Sequence, residues 1–169
     1  GLGDVYKRQG FATVSKYLNE GANVMMVGRS EDKLVEVYNR LGKPNNAAFS
    51  VAESTDETAI RDSVQKTTDT FGSVDIVIAN AGTEGVVQPL VDYSVQDFNH
   101  TLTVNVTGVW LYFKHAIPHM ENQGYGSIVA VASGAGLVGF PGLCPYSASK
   151  HAVCGMVKTA CLEYGDKGI

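Results

Sequence analysis

Val74-Asp75-Ile76-Val77-Ile78-Ala79-Asn80-Ala81-Gly82 sets a short apolar run directly against an Asn-Ala-Gly turn. Val74 to Ala79 reads as a strand buried on both faces, the form that strands of parallel sheets take. The flanks repeat the pattern. Upstream, Phe11, Val14, Tyr17 and Leu18 recur at helical spacing and stop at Gly21, after which Val24 to Val27 has strand length. Ser30 is placed to cap a helix through Leu41, Gly42 ends it, and Ala47 to Val51 supplies the next strand. Ser54 with Glu57 forms a capping-box signature for a third helix, which carries Ile60, Val64 and Phe71 and closes at Gly72. Downstream, Ser94 and Asp97 open a long helical pattern through about Met120, with Pro118 as the expected bend. Ile128 to Ala132 is a further strand, and a last helix runs from Tyr146 to Tyr164. Short apolar strands alternating with helices predict an α/β fold, a doubly wound parallel sheet with helices on both faces.

The 169 residues, 44% hydrophobic and 18% charged, suffice for one domain with a sizeable core. A net charge of −4 without a basic stripe argues against nucleic acid as a partner. No apolar run approaches the ~20 residues that cross a bilayer, and the first residues hold no signal-peptide core, so the expectation is a cytoplasmic protein away from membranes. Cys144, Cys154 and Cys161 lack paired C-x-x-C spacing and are read as free thiols, with no metal site expected. His115 and His119 share a helix face but lack a third ligand, and are read as ordinary helix residues.

Parallel sheets bind ligands outside the carboxyl ends of their strands, which directs attention to the loops at residues 28–30, 52–54, 80–87 and 133–145. The chemistry lies at the last of these. In Tyr146-Ser147-Ala148-Ser149-Lys150 the tyrosine and lysine stand four apart on a helix and share one face. A cation beside a phenol favours the phenolate, so a tyrosine that ordinarily titrates near pH ~10 becomes a usable acid/base. Ser133 ends the preceding strand, where its hydroxyl can bond the oxygen that the tyrosine protonates. Asn105 lies in Val104-Asn105-Val106 inside the long helix.

Taken together, Asn80-Ala81-Gly82, the mid-helix Asn105, Ser133 and the Y-x-x-x-K of Tyr146 and Lys150 resemble the short-chain dehydrogenase/reductase family, in family order and roughly at family spacing over residues 10–169. The resemblance implies a Rossmann-like subunit that moves hydride between a nicotinamide cofactor and an alcohol or ketone substrate. It further implies Tyr146 as acid/base, Ser133 on the substrate oxygen, and Lys150 both tuning the tyrosine and holding the nicotinamide ribose. Asn105 would anchor a proton-relay water. Gly10, Asn80, Ala81 and Gly82 would line the cofactor site, with Glu53 and Ser54 near the adenine, where the family usually has Asp followed by an apolar residue. A homodimer or homotetramer through the Ser94–Met120 and Tyr146–Tyr164 helices is also implied.

NAD-preferring members usually place an acidic residue at the end of the second family strand. Here Gly28 occupies that place with Arg29 beside it, so the reading favours NADP(H) over NAD(H), Arg29 either clamping the 2′-phosphate or stacking on adenine. At the start the pattern fails. The family's T-G-x-x-x-G-x-G, counted back from Gly10, meets Gly3, Asp4 and Arg8 in place of Thr, Gly and Gly. Residues 1–9 are read as a non-matching leader, foreign in origin, before a partial dinucleotide-binding domain at 10–169. The expectation is a fragment without the first strand and the last strands, inactive by itself. Apolar loops at residues 83–89 and 134–145 point to a small or cyclic apolar substrate. Two further readings are a non-catalytic dinucleotide-binding regulator and an epimerase or dehydratase of related fold.

Overall fold

The computed structural model describes the backbone of residues 2–169 and the side chains from Arg8 onward. Gly1 and the side chains of residues 2–7 lie outside this description, and with them much of the reading of the leader. The chain divides into two compact units, Gly1–Val74 and Asp75–Ile169.

The first unit holds α1 (Leu2–Asn19), β1 (Val24–Gly28), α2 (Glu31–Arg40), β2 (Ala47–Val51) and α3 (Glu57–Phe71). β1 and β2 pair in parallel from Val24↔Ala47 to Gly28↔Val51. α2 packs on both strands, α1 on β1 and α3 on β2. Met26, Leu34, Ala47, Ile60 and Val64 are among the buried apolar residues of this unit. α1 begins well before the expected Phe11 and includes Gly10.

Two caps differ from expectation. Ser30 stands at the N-cap of α2 but makes no side-chain cap bond. α3 is capped by Asp56, whose Oδ1 accepts from the Ala59 N–H at 3.0 Å. Ser54 is engaged elsewhere, its N–H and hydroxyl both donating to Glu53 Oε1. With Ser54 held by Glu53, the Asp56 carboxylate takes the cap, where its charge suits the positive end of the helix. Gly72 closes α3 at φ +91, in the left-handed region open to glycine.

The second unit holds β3 (Ile76–Ala79), α4 (Val95–Leu102), α5 (Gly108–Gln123), β4 (Ser127–Ala130) and α6 (Cys144–Tyr164). β3 and β4 pair in parallel from Ile76↔Ser127 to Ala79↔Ala130, forming a second two-stranded sheet. Ala79, Val109, Phe113, Ile117 and Val153 form the core, with Ile128 and Ala130 packed against it.

The expected long helix from Ser94 is α4 and α5 joined by a π-helical turn at Thr103–Thr107. Pro118 lies within α5, so the irregularity sits at Asn105 rather than at the proline. A wider turn of this kind releases backbone groups from the ordinary ladder, and such turns gather at functional positions. α6 starts at Cys144, two residues earlier than expected, because Pro145 suits the first turn of a helix, where its missing N–H costs nothing. Among the described residues, no helix is long and apolar enough to cross a membrane, and no group of three His, Cys, Asp or Glu side chains is placed to hold a metal.

Candidate active site

The carboxyl ends of β3 and β4 lie side by side, since the Val131 N–H donates to Ala79 O at 3.0 Å. Each strand therefore delivers its loop to the same edge: Asn80-Ala81-Gly82 after β3 and Ser133 after β4. Facing them are the first two turns of α6, which carry Tyr146 and Lys150, both buried.

Lys150 is 1% exposed, yet its Nζ donates to Val131 O at 2.8 Å. The same ammonium lies 5.7 Å from the centre of the Tyr146 ring. One cation therefore bonds the chain just ahead of Ser133 and stands beside the phenol ring. Burial pulls the Lys150 ammonium below its ordinary range, and the neighbouring Cys154 thiol partly opposes that shift.

Ser133 is pinned from two sides. Val131, two residues before it, is held by Lys150; Gly136, three residues after it, lies against the backbone of α6. A Cβ on Gly136 would come within 2.8 Å of Lys150 O and 3.1 Å of Cys154 Sγ, so only glycine fits this approach. Ser133 Oγ accepts from the Ala135 N–H at 3.2 Å, which leaves the hydroxyl proton for donation to another oxygen.

Asn105, fully buried in the π turn, uses its whole side-chain amide. Oδ1 accepts from the Thr83 N–H at 2.8 Å, and Nδ2 donates to Thr83 O at 2.7 Å and to Ser149 Oγ at 2.9 Å. The Ser149 hydroxyl in turn donates to Tyr146 O at 2.7 Å. Asn105 thus joins the loop after Asn80-Ala81-Gly82 to the backbone of the candidate acid/base. Gly85, at φ +70, lies so close to Thr101 Oγ1 that a Cβ would collide with it, which fixes the same loop a second time.

Ser133, Tyr146, Lys150, Asn105, Asn80, Ala81 and Gly82 all belong to the second unit. Gly10, Arg29, Glu53 and Ser54 belong to the first. Arg29, 77% exposed, lies 4.0 Å from Glu53 Oε2, outside hydrogen-bond distance, so its guanidinium donors are available to an anion. Sequence reasoning missed Thr83 and Val131, which act through backbone atoms. It also missed Ser149, whose one signal is a small hydroxyl inside an otherwise close-packed helix turn.

The family profile described as short chain dehydrogenase matches residues 9–169. Short-chain dehydrogenase reductase 3a of Arabidopsis thaliana is 35% identical over 161 residues, covering 95% of this chain and 62% of that protein. Among solved structures, NAD+-bound xylitol dehydrogenase superposes with a TM-score of 0.90 at 31% identity, over 95% of this chain and 62% of that one. ElxO with NADP bound gives 0.87 at 30% identity, over 95% and 64%. The chain thus spans a little over three fifths of the length of each of these three proteins.

Proposed function

Because the chain belongs to the short-chain dehydrogenase family, we propose that the protein is an NAD(P)-dependent oxidoreductase interconverting a secondary alcohol and a ketone on a small or cyclic apolar substrate. The observation that carries this reading is the position of Lys150 Nζ, bonded to Val131 O and beside the Tyr146 ring. A bound nicotinamide dinucleotide supplies the hydride in reduction and accepts it in oxidation.

The protein's own residues handle the oxygen and its proton. In reduction Tyr146 gives its phenolic proton to the substrate oxygen as that oxygen gains charge, and the Lys150 ammonium stabilises the phenolate left behind. Ser133 donates its hydroxyl proton as a hydrogen bond to the same oxygen and orients the carbonyl. Asn105 is a positioning residue that fixes Tyr146 through Ser149. In oxidation the phenolate takes the alcohol proton.

Arg29 fits the 2′-phosphate of NADP(H), being exposed and only loosely matched by Glu53, and NADP(H) is favoured over NAD(H) on that ground. Gly10, Glu53, Ser54, Asn80, Ala81, Gly82, Tyr146 and Lys150 complete the proposed cofactor contacts. The proposed assembly is a cytoplasmic homodimer or homotetramer through α4, α5 and α6.

Isotope transfer tests the reading. With NADPH deuterated at the transferable C4 position and an alicyclic ketone, the protein at its natural length should place deuterium on the carbinol carbon of the product alcohol. Recovery of unchanged ketone with either nucleotide would refute it.

A further inference from the structure

Tyr93 lies between two loops that border the candidate site. Its hydroxyl is 2.6 Å from Val86 O, in the loop after β3, and 2.6 Å from Gly142 O, in the loop that runs from Ser133 to α6. One phenolic proton faces two carbonyl oxygens, so it is shared between them. The Gln88 N–H also donates to Gly142 O at 3.1 Å, which makes a second tie between the same two loops. Gly142, at φ +77, has a backbone conformation that strains any other residue, and a Cβ there would press on Val87 at 3.1 Å. Gly142 is two residues from the start of α6 and four from Tyr146, so whatever holds Gly142 also sets the approach to the acid/base.

The loops so joined expose apolar side chains. Val87 is 64% exposed and Leu137 78%, and Val86, Val138 and Phe140 are also open. Apolar groups clustered on loops beside a polar reaction centre offer favourable burial to an apolar ligand and none to a polyhydroxylated one.

Resting on the oxidoreductase reading above, we propose that Tyr93 is a positioning residue for substrate selection, holding the 86–88 and 137–142 segments together as an apolar rim beside Tyr146. The rim takes the ring or chain of an apolar ketone and discriminates against polyols. Tyr93 does not touch the reacting atoms.

The test is Tyr93→Phe in the protein at its natural length, which removes the hydroxyl and keeps the ring. The readouts are kinetics with 2-methylcyclohexanone and dihydroxyacetone, nucleotide binding, and amide hydrogen exchange. The expected result is a rise of about tenfold in KM for 2-methylcyclohexanone, with kcat, the KM for dihydroxyacetone and the nucleotide Kd all within about twofold. Amides of residues 86–88 and 142–144 should exchange faster. Equal exchange in the two proteins would overturn the clamp, and faster exchange with an unchanged KM ratio would overturn its part in selection. A purely structural role would move kcat, nucleotide binding and both KM values together, which also overturns it. If the unsubstituted protein reduces neither ketone, the oxidoreductase reading itself falls and the selection falls with it, an outcome distinct from a working enzyme indifferent to Tyr93.

Discussion

Lys150 Nζ donates to Val131 O at 2.8 Å, so a buried ammonium on α6 bonds the backbone that leads to Ser133. The contact gives one side chain two duties, holding the β4 loop in place and presenting positive charge to Tyr146. It also makes the site costly, since a cation 1% exposed has given up its hydration.

Burial depresses the Lys150 ammonium below its unfolded value of 10.5. The native state therefore binds fewer protons than the unfolded state between that depressed value and 10.5, and stability contributed by this group rises with pH across that window. Denaturant unfolding of the protein and of Lys150→Met, followed from about pH 7 to pH 10, should show the stability difference shifting toward the unsubstituted protein as pH rises. A difference constant with pH would remove the buried charge from the account.

Asn105→Ala should destabilise the protein by about 2–4 kcal/mol, because three hydrogen bonds go and the Thr83 N–H and carbonyl lose their partner. Asn105→Asp should fare no better, since a carboxylate cannot donate to Thr83 O. Denaturant unfolding reads the loss, and a cost below about 0.5 kcal/mol would show that the junction is not shared as described.

Gly136→Ala should cost about 1–3 kcal/mol and reduce turnover, because the new methyl group would press on Lys150 O and Cys154 Sγ and push the Ser133 segment away from α6. The pairing with Cys154→Ala is informative: removing the sulfur relieves one of the two contacts, so the double variant should recover part of the stability lost. Strict additivity of the two substitutions would contradict the packing.

Arg29→Glu should weaken NADP(H) binding at least about tenfold while changing NAD(H) binding by less than about threefold, since a carboxylate repels the 2′-phosphate that only NADP carries. Calorimetric titration with both nucleotides measures this, and equal effects on the two would return Arg29 to a general surface role.

Much of the fold was legible because its signals are local. Ala47 to Val51 matches β2 residue for residue, and Gly72 ends α3 in the conformation that glycine alone adopts readily. Where two local signals competed, the reading failed. In Ser54-Thr55-Asp56-Glu57 both Ser54 and Asp56 can cap, and what decides is Glu53, which occupies Ser54 and leaves Asp56 to the helix. Strand ends were overdrawn for a nonlocal reason. The strand was read from Val74, across Asp75, but the β3 ladder begins at Ile76, opposite Ser127, because a strand extends only as far as its partner.

In the candidate site, Tyr146, Lys150 and Ser133 could be picked out because their side-chain types and spacing carry chemistry, and Asn105 through the family resemblance. Thr83 and Val131 could not, since each contributes backbone atoms that every residue possesses. The same holds for the two carbonyls that flank Tyr93, and the π turn at Asn105 has no pattern that distinguishes it from an ordinary helix. Which strands pair, β1 with β2 and β3 with β4, is a relationship across the chain that no single window of sequence contains.

In the proposed reaction the Tyr146 phenol carries the proton. Tyr146→Phe, made in the protein at its natural length, should lower turnover by at least about a thousandfold, within the range associated with loss of a positioned acid/base, while nucleotide binding stays within about threefold. Turnover by the phenylalanine variant at a rate comparable with the unsubstituted protein would contradict the account.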